Sequence, residues 1–204
     1  MAKIHPQASI SPLPSSSPSP YTTSGQEAFT IWMKSLVFNS NGCTVFDSKG
    51  RIVYRVDNYD CKCNDEVYLM DLSGKLVFAI LRKKLRVFGR WEGFKCKGSM
   101  VEHGKPWFQV RKPYRILKRD LNCEVTVGCS EIQPIHYRLE GSPGKASCKI
   151  VDRSGAVVAE VKQKFSTSGV VLGDDVLSLV VEPNIDHSVI MALVIVYSLV
   201  NSKM

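Results

Sequence analysis

Histidine is scarce in this chain, and glycosylation sequons and paired zinc knuckles are missing altogether. The four histidines among 204 residues, His5, His103, His136 and His187, are scattered. No H-x-x-x-H or H-x-H spacing lets two imidazoles share a metal. Asn-x-Ser/Thr does not occur, and the proline-rich first twenty residues hold no apolar run long enough for a secretory signal. The seven cysteines are odd in number, and the one close pair, Cys61-Lys62-Cys63, fits neither a C-x2-C knuckle nor a redox C-x-x-C. A secreted disulfide scaffold and a zinc ribbon are thereby excluded. The expectation is a reduced cytosolic or nuclear chain whose cysteines act as small buried hydrophobes.

Catalytic signatures are absent as well. Gly141-Ser142-Pro143-Gly144-Lys145-Ala146 loosely resembles a phosphate-binding loop. It lacks the four-residue interval between glycines, and Ala146 stands where a magnesium-binding hydroxyl belongs. No G-x-S-x-G elbow is present. The sequence therefore predicts no enzyme, no metal and no cofactor. Residues 1–24 contain no acid and are rich in Ser and Pro, a composition that buries nothing and predicts a disordered tail. An acid-poor, Ser-rich start also suits a chloroplast transit segment, although one Lys and no Arg is meagre for that purpose.

From residue 25 to 204 the pattern is that of one β-rich domain. A motif of two apolar residues, Asp, two others, Gly, one other and two apolar residues occurs three times, around Asp47 and Gly50, Asp71 and Gly74, and Asp152 and Gly155. The carboxylate can accept from the turn backbone and the glycine can take positive φ, so each copy predicts a hairpin. Intervals of 24 and 81 residues between the aspartates exclude a fixed-period solenoid and suggest two related meander halves. Alternation is clear in residues 76–88 and again from Val161 to Phe165. Many short strands with Gly and Asp turns predict a barrel or sandwich. The stretch from Val189 to Val200 differs: apart from Tyr197 and Ser198 it is apolar on every side. Asp186 or Ser188 can cap it, which predicts a buried helix. Twelve residues give ~18 Å of helix, short of a ~30 Å hydrocarbon core.

Net charge is +8, and its source is concentrated. From Arg82 to Arg119 lie thirteen Lys or Arg against Glu92 and Glu102. Alternation puts Arg82, Lys84 and Arg86 on one strand face, with cations ~7 Å apart. Trp91, Phe94, Trp107, Phe108 and Tyr114 are interleaved. Arg82, Lys83, Lys84, Arg86, Arg90, Lys95, Arg111 and Lys112 are the candidate ligands for an anionic headgroup on the outer surface. Competing readings are nucleic acid, with aromatics stacking on bases, a protein partner, and a merely solvated face.

These pieces together resemble the LURP-one-related family of plants. The resemblance rests on Trp32-Met33-Lys34-Ser35-Leu36-Val37-Phe38-Asn39, Val45-Phe46-Asp47-Ser48-Lys49-Gly50, Arg55-Val56-Asp57-Asn58-Tyr59 and the Asp71/Gly74 turn. It continues with Cys148-Lys149-Ile150, Gly155, Lys164, Leu172-Gly173-Asp174-Asp175, Val180-Val181-Glu182-Pro183 and the apolar helix. It implies a mainly β fold, a twelve-stranded antiparallel tubby-like barrel enclosing a central C-terminal α-helix. It also implies kinship with phospholipid scramblases in a superfamily proposed to include membrane-tethered transcription factors. A monomer, peripheral at the plasma membrane or nuclear, with a role in plant stress or defence, follows as the expectation. No catalytic residue comes with the resemblance.

Overall fold

The computed structural model describes residues 19–33, 41–58, 65–85, 88–97, 100–101, 104–112, 121–129, 133–142, 144–166 and 168–201. The tail before residue 19, the Cys61/Cys63 pair, His5 and His103 lie outside the described residues. The strands are β1 (Glu27–Trp32), β2 (Asn41–Phe46), β3 (Ile52–Asn58), β4 (Glu66–Asp71), β5 (Leu76–Leu85), β6 (Phe88–Lys97) and β7 (Met100–Val101). They continue as β8 (Phe108–Arg111), β9 (Leu121–Val127), β10 (Ile135–Gly141), β11 (Cys148–Asp152), β12 (Val157–Gln163) and β13 (Val176–Val181), and α1 (His187–Val200) follows.

Neighbours in sequence are neighbours in the sheet, all antiparallel, and β1 pairs with β13 to close the ring. The two-residue β7 pairs only with the end of β6. The wall is thus a twelve-stranded up-and-down barrel plus this short addition. Closure leaves no free sheet edge in the wall. Alternate connections in such a meander fall at the same end. The β2–β3, β4–β5 and β11–β12 turns therefore share one end, the lower end, and the β5–β6, β10–β11 and β12–β13 connections share the opposite, upper rim.

The three repeated motifs fold alike. In each the glycine amide donates to the aspartate carbonyl, and Asp Oδ1 accepts two further turn amides: Lys49 and Arg51, Ser73 and Lys75, or Ser154 and Ala156. Gly50, Gly74 and Gly155 sit at φ 76°, 80° and 88°, a region costly for any residue with a Cβ. These amide donors, with Arg51 at Asp47 and a serine hydroxyl at each of the others, hold all three carboxyls below their ordinary range against the pull of desolvation.

Helix α1 fills the lumen. Ser188 to Ser198 are all buried, and Ile190, Met191, Ala192, Leu193 and Val196 have no exposure at all. The segment is rich in Val and Ile, which favour strands. Inside a closed wall, however, no strand edge is available to accept its backbone, so only a helix satisfies its amides and carbonyls internally. Both ends are pinned. At the lower end Asp186 Oδ1 accepts from the Ser188 and Val189 amides. At the rim Tyr197 Oη lies 3.2–3.3 Å from the carbonyls of Ser142, Lys145 and Ser147, and its single proton serves one of them at a time. Asn201 accepts from the Gly144 amide and donates to the Lys145 carbonyl. Gly141 is required here, because a Cβ would stand 2.2 Å from Tyr197 Oη.

Residues 19–24, assigned by composition to the tail, strap the lower end. The His187 amide donates to the Tyr21 carbonyl and the Asn184 amide to that of Thr23, while Ser19 Oγ donates to Asp186 Oδ2. Tyr21, Phe29 and Tyr54 surround the His187 ring with centroids 5.3–5.7 Å away, and Tyr54 Oη is 2.9 Å from His187 Nδ1. Burial pushes the His187 pKa below its ordinary 6.5, against the opposing attraction of Glu27 and Asp186.

This packing generates two predictions. Ala192→Asp places a carboxylate in the filled lumen and is expected to abolish soluble expression; a soluble, cooperatively unfolding variant would show that the helix is not core. Acid sensitivity is the second. The unfolded chain accepts a proton that folded His187 resists, so this stabilisation is complete above about 6.5 and is lost as pH falls toward the lowered folded value. The urea midpoint should therefore drop in that window, before the turn aspartates titrate. His187→Gln should flatten this first step, and an unchanged pH slope in the variant would refute the assignment.

Candidate anion-binding surface

Side-chain parity decides which cations face outward. On β6 the buried Trp91 and Gly93 point to the lumen, so Arg90 and Glu92 face out; on β8 Phe108 and Val110 point in, so Gln109 and Arg111 face out. Lys83 pairs with Arg90, Arg90 with Arg111, Arg111 with Glu124 and Glu124 with Arg138. One outer row thus crosses β5, β6, β8, β9 and β10, with neighbours ~4.8 Å apart. Lys83 and Arg111 are exposed, and Lys112 follows directly after β8, also exposed.

Arg82 behaves differently from the expectation. It pairs with Trp91 and shares the lumen-facing parity of Phe78 and Ile80. Its guanidinium lies 5.9 Å from the Trp91 ring centroid and 3.8 Å from Asp65, so it closes the rim over an aromatic floor rather than sitting on the outer wall. The reason is register: the strand alternates as expected, but the apolar side of β5 that faces the helix is the one that ends in Arg82. Lys84 lies opposite Gly89 on the same hairpin, and its side chain and the whole of Arg86 lie outside the described residues. Lys95 is not with the others. It lies five residues down β6 from Arg90, ~17 Å along the strand, with its ammonium 3.4 Å from the Trp107 ring centroid.

Arg90 is only partly available. Its Nη2 lies 2.8 Å from Oε1 of Glu92, a carboxylate with 5% side-chain exposure, and Gln109 Nε2 lies 3.4 Å from the same oxygen. Arg90 therefore neutralises a buried charge while presenting part of its guanidinium outward. Arg111 donates to Gln109 Oε1 at 3.1 Å, which steadies it on the wall. Below this row a groove of about 610 Å³ runs over β8, β9 and β10, lined by Arg111, Glu124, His136, Arg138 and Arg153 among others. His136, Arg138 and Arg153 are isolated in sequence, and only strand register brings them beside Arg111. Arg138 also holds Glu140 at 2.6 Å.

At the rim opposite the β5–β6 hairpin, Lys145, Lys162 and Lys164 surround the β10–β11 and β12–β13 connections. Asp174 accepts from Gln163 and Asp175 from the Trp32 indole, Glu160 pairs with Lys162 at 2.7 Å, and the Lys164 ammonium donates to Thr30 Oγ1, while Lys145 is exposed. Basic side chains thus occur on opposite sides of the upper rim.

The family model described as LURP-one-related matches residues 27–198. This chain belongs to the LURP-one-related family. Among Arabidopsis thaliana relatives it is similar to Protein LURP-one-related 11, with 46% identity covering 98% of this chain and 89% of that one. Protein LURP-one-related 3 is 48% identical over 91% of this chain and 84% of its own length. An Arabidopsis thaliana protein solved by X-ray crystallography superposes with a TM-score of 0.62, 21% identity and coverage of 89% and 94% of the two chains, which supports the fold. The relatives span the barrel described above, and their names specify no activity. No described helix is long and apolar enough to cross a membrane.

Arg90→Met removes the counter-charge of a buried carboxylate. Because the Arg90 side chain is 33% exposed and partly screened, chemical denaturation should show a loss of about 3 kcal/mol at most, the lower end for a broken buried pair. The double variant Arg90→Met/Glu92→Leu should recover most of it. Additive losses would mean that the two side chains do not act as a pair.

Proposed function

We propose that the protein is a non-enzymatic module that binds anionic phospholipid headgroups through the basic side of its barrel. The observation that carries this reading is the cross-strand row Lys83–Arg90–Arg111 with the exposed Lys112 beside it. Separate strands, rather than one flexible segment, hold these cations at fixed spacing. A rigid array of that kind can meet several phosphate oxygens at once, and each Lys or Arg near an anionic leaflet contributes ~1 kcal/mol. The filled lumen supports a surface function, since helix α1 takes the space in which a barrel enzyme would enclose a substrate.

The wider reading is a regulator tethered reversibly to a membrane, in line with the tubby-like resemblance. A scramblase-like activity would need a segment free to enter the bilayer. Helix α1, 14 residues or ~21 Å long, is instead enclosed by the wall.

Vesicle flotation with phosphatidylcholine alone, with added phosphatidylserine and with added phosphatidylinositol bisphosphate tests the proposal. Retention should require an anionic lipid, weaken with salt, and fall about tenfold or more in Lys83→Glu/Arg111→Glu. The absence of retention on every anionic vesicle at low salt would overturn it.

A further inference from the structure

Seven large hydrophobic side chains are substantially exposed among the described residues, and four of them fall within one short hairpin. Leu72, Ile135 and Val157 are single residues at strand ends or turns, of the kind any soluble surface carries. Phe165 (55% exposed), Val170 (63%), Val171 (43%) and Leu172 (49%) share one hairpin, Phe165 with Val171 on one face and Val170 with Leu172 on the other. β12 ends at Gln163 and β13 begins at Val176, and the chain between them folds back on itself. Phe165 pairs with Val171, the Ser166 amide donates to the Val170 carbonyl, the Leu172 amide to that of Lys164, and the Gly169 amide closes the tip on Ser166. The exposure therefore belongs to two described arms that are held together by their own cross-arm backbone bonds. The ribbon's outer edges, at Phe165 and Val171, stay open, so it suits the hydrated headgroup–acyl boundary rather than the hydrocarbon core.

Its surroundings identify the medium. The hairpin projects from the upper rim, and Lys162, Lys164 and Lys145 lie at its base or on the adjacent connection. Across the rim, six strands away around the twelve-stranded wall, stands the β5–β6 hairpin with Arg82 and Lys83. Lys162 pairs with Glu160 and Lys164 donates to Thr30 Oγ1, but Lys145 is exposed beside the apolar tip and Lys83 is exposed opposite, a layout that matches a bilayer with anionic headgroups. The headgroup–acyl boundary takes the tip while phosphates meet the lysines on both sides. A protein groove could take the apolar tip alone, but would leave the basic point across the rim without a counterpart.

We propose that the hairpin arms, residues 164–166 and 168–172, insert into the headgroup–acyl boundary of an anionic membrane. The barrel then stands end-on, with its upper rim toward the bilayer. This rests on the headgroup-binding reading above and adds to it an orientation and an apolar anchor. Asp174 and Asp175, held by the neutral donors of Gln163 and Trp32 at the hairpin base, keep their charge and offset the lysines there, so the apolar tip carries the larger share of the attachment on this side.

The test uses the full chain and vesicles of phosphatidylcholine with phosphatidylserine. Phe165→Ser/Val170→Ser is expected to leave the thermal midpoint unchanged, since both side chains are exposed, and to weaken vesicle partitioning about tenfold or more. The residual binding should be more sensitive to salt than that of the unaltered chain. Val170→Trp should show blue-shifted emission on vesicle addition and quenching by lipids brominated near the headgroup end of the acyl chain, beyond that of the native tryptophans. Unaltered partitioning of the serine variant, with no added quenching in the Val170→Trp variant, would overturn the insertion while leaving headgroup binding by the basic row intact. Failure of the unaltered chain to bind any anionic vesicle would overturn both. A serine variant that binds vesicles normally but loses self-association in light scattering would overturn the insertion and assign the hairpin to a contact between copies of the chain.

Discussion

A closed wall of twelve strands encloses a volume that must be filled, and everything else in this molecule follows from how it is filled. Empty apolar space forfeits dispersion contacts on every side. Water would need polar partners that the inward-facing Phe78, Ile80, Val110, Val125, Leu139 and Leu179 do not supply. The chain resolves this with its own C-terminal segment. The filler has to be apolar all round because the wall surrounds it, and helical because no strand edge is free inside. It also needs to be fixed at both ends so that its side chains meet the wall in one register. Asp186 and the 19–24 strap provide the lower fixation, while Tyr197 and Asn201 provide the upper one.

That constraint explains which parts of the structure could be read from the sequence. The three Asp-x-x-Gly turns are local chemistry, and each folds by the same set of amide–carboxylate bonds. The helix was legible because the absence of any polar face is itself a statement about surroundings. What alternation cannot tell is which side of a strand faces the helix. Arg82 shows the difference: the strand pattern is as expected, yet its side chain covers Trp91 at the lumen mouth. The outer row is a product of register between β5, β6, β8, β9 and β10. Arg138 and Arg153 are distant from Arg111 in sequence and could be joined to it only through that register. Alternation also carried Phe165 on as a continuation of β12, and its exposure became visible only where the hairpin leaves the wall.

Glu92 illustrates how the basic side is built to remain basic. A carboxylate buried on the outer wall would ordinarily be costly, but Arg90 and Gln109 share its Oε1. The pairing consumes part of one arginine and leaves Lys83, Arg111 and Lys112 as exposed positive charges. Because they stand on strands whose spacing is set by backbone hydrogen bonds, little side-chain reorganisation separates the free array from one engaged with phosphates. Such preorganisation raises affinity by reducing the ordering that binding would otherwise require.

The meander gives the barrel two unlike ends, and this links core to function. At the lower end Asp47 pairs with its own Arg51, the carboxylates of Asp71 and Asp152 are satisfied by turn amides and a serine hydroxyl, and the strap covers the helix start. That end is thereby largely closed on itself, apart from the groove that His136 and Arg153 help to line. At the rim the connections differ in length and chemistry, and they are the places where the chain can vary without disturbing the closed wall. The helix terminus pins one of them, the 142–147 loop, while the 164–172 hairpin projects beyond its own base. A rigid core thus holds a cationic hairpin and an apolar hairpin on opposite sides of one rim. Their separation is fixed by the strand count, so under the proposed membrane binding a flat anionic surface would meet both together, where a small soluble ligand would meet only one.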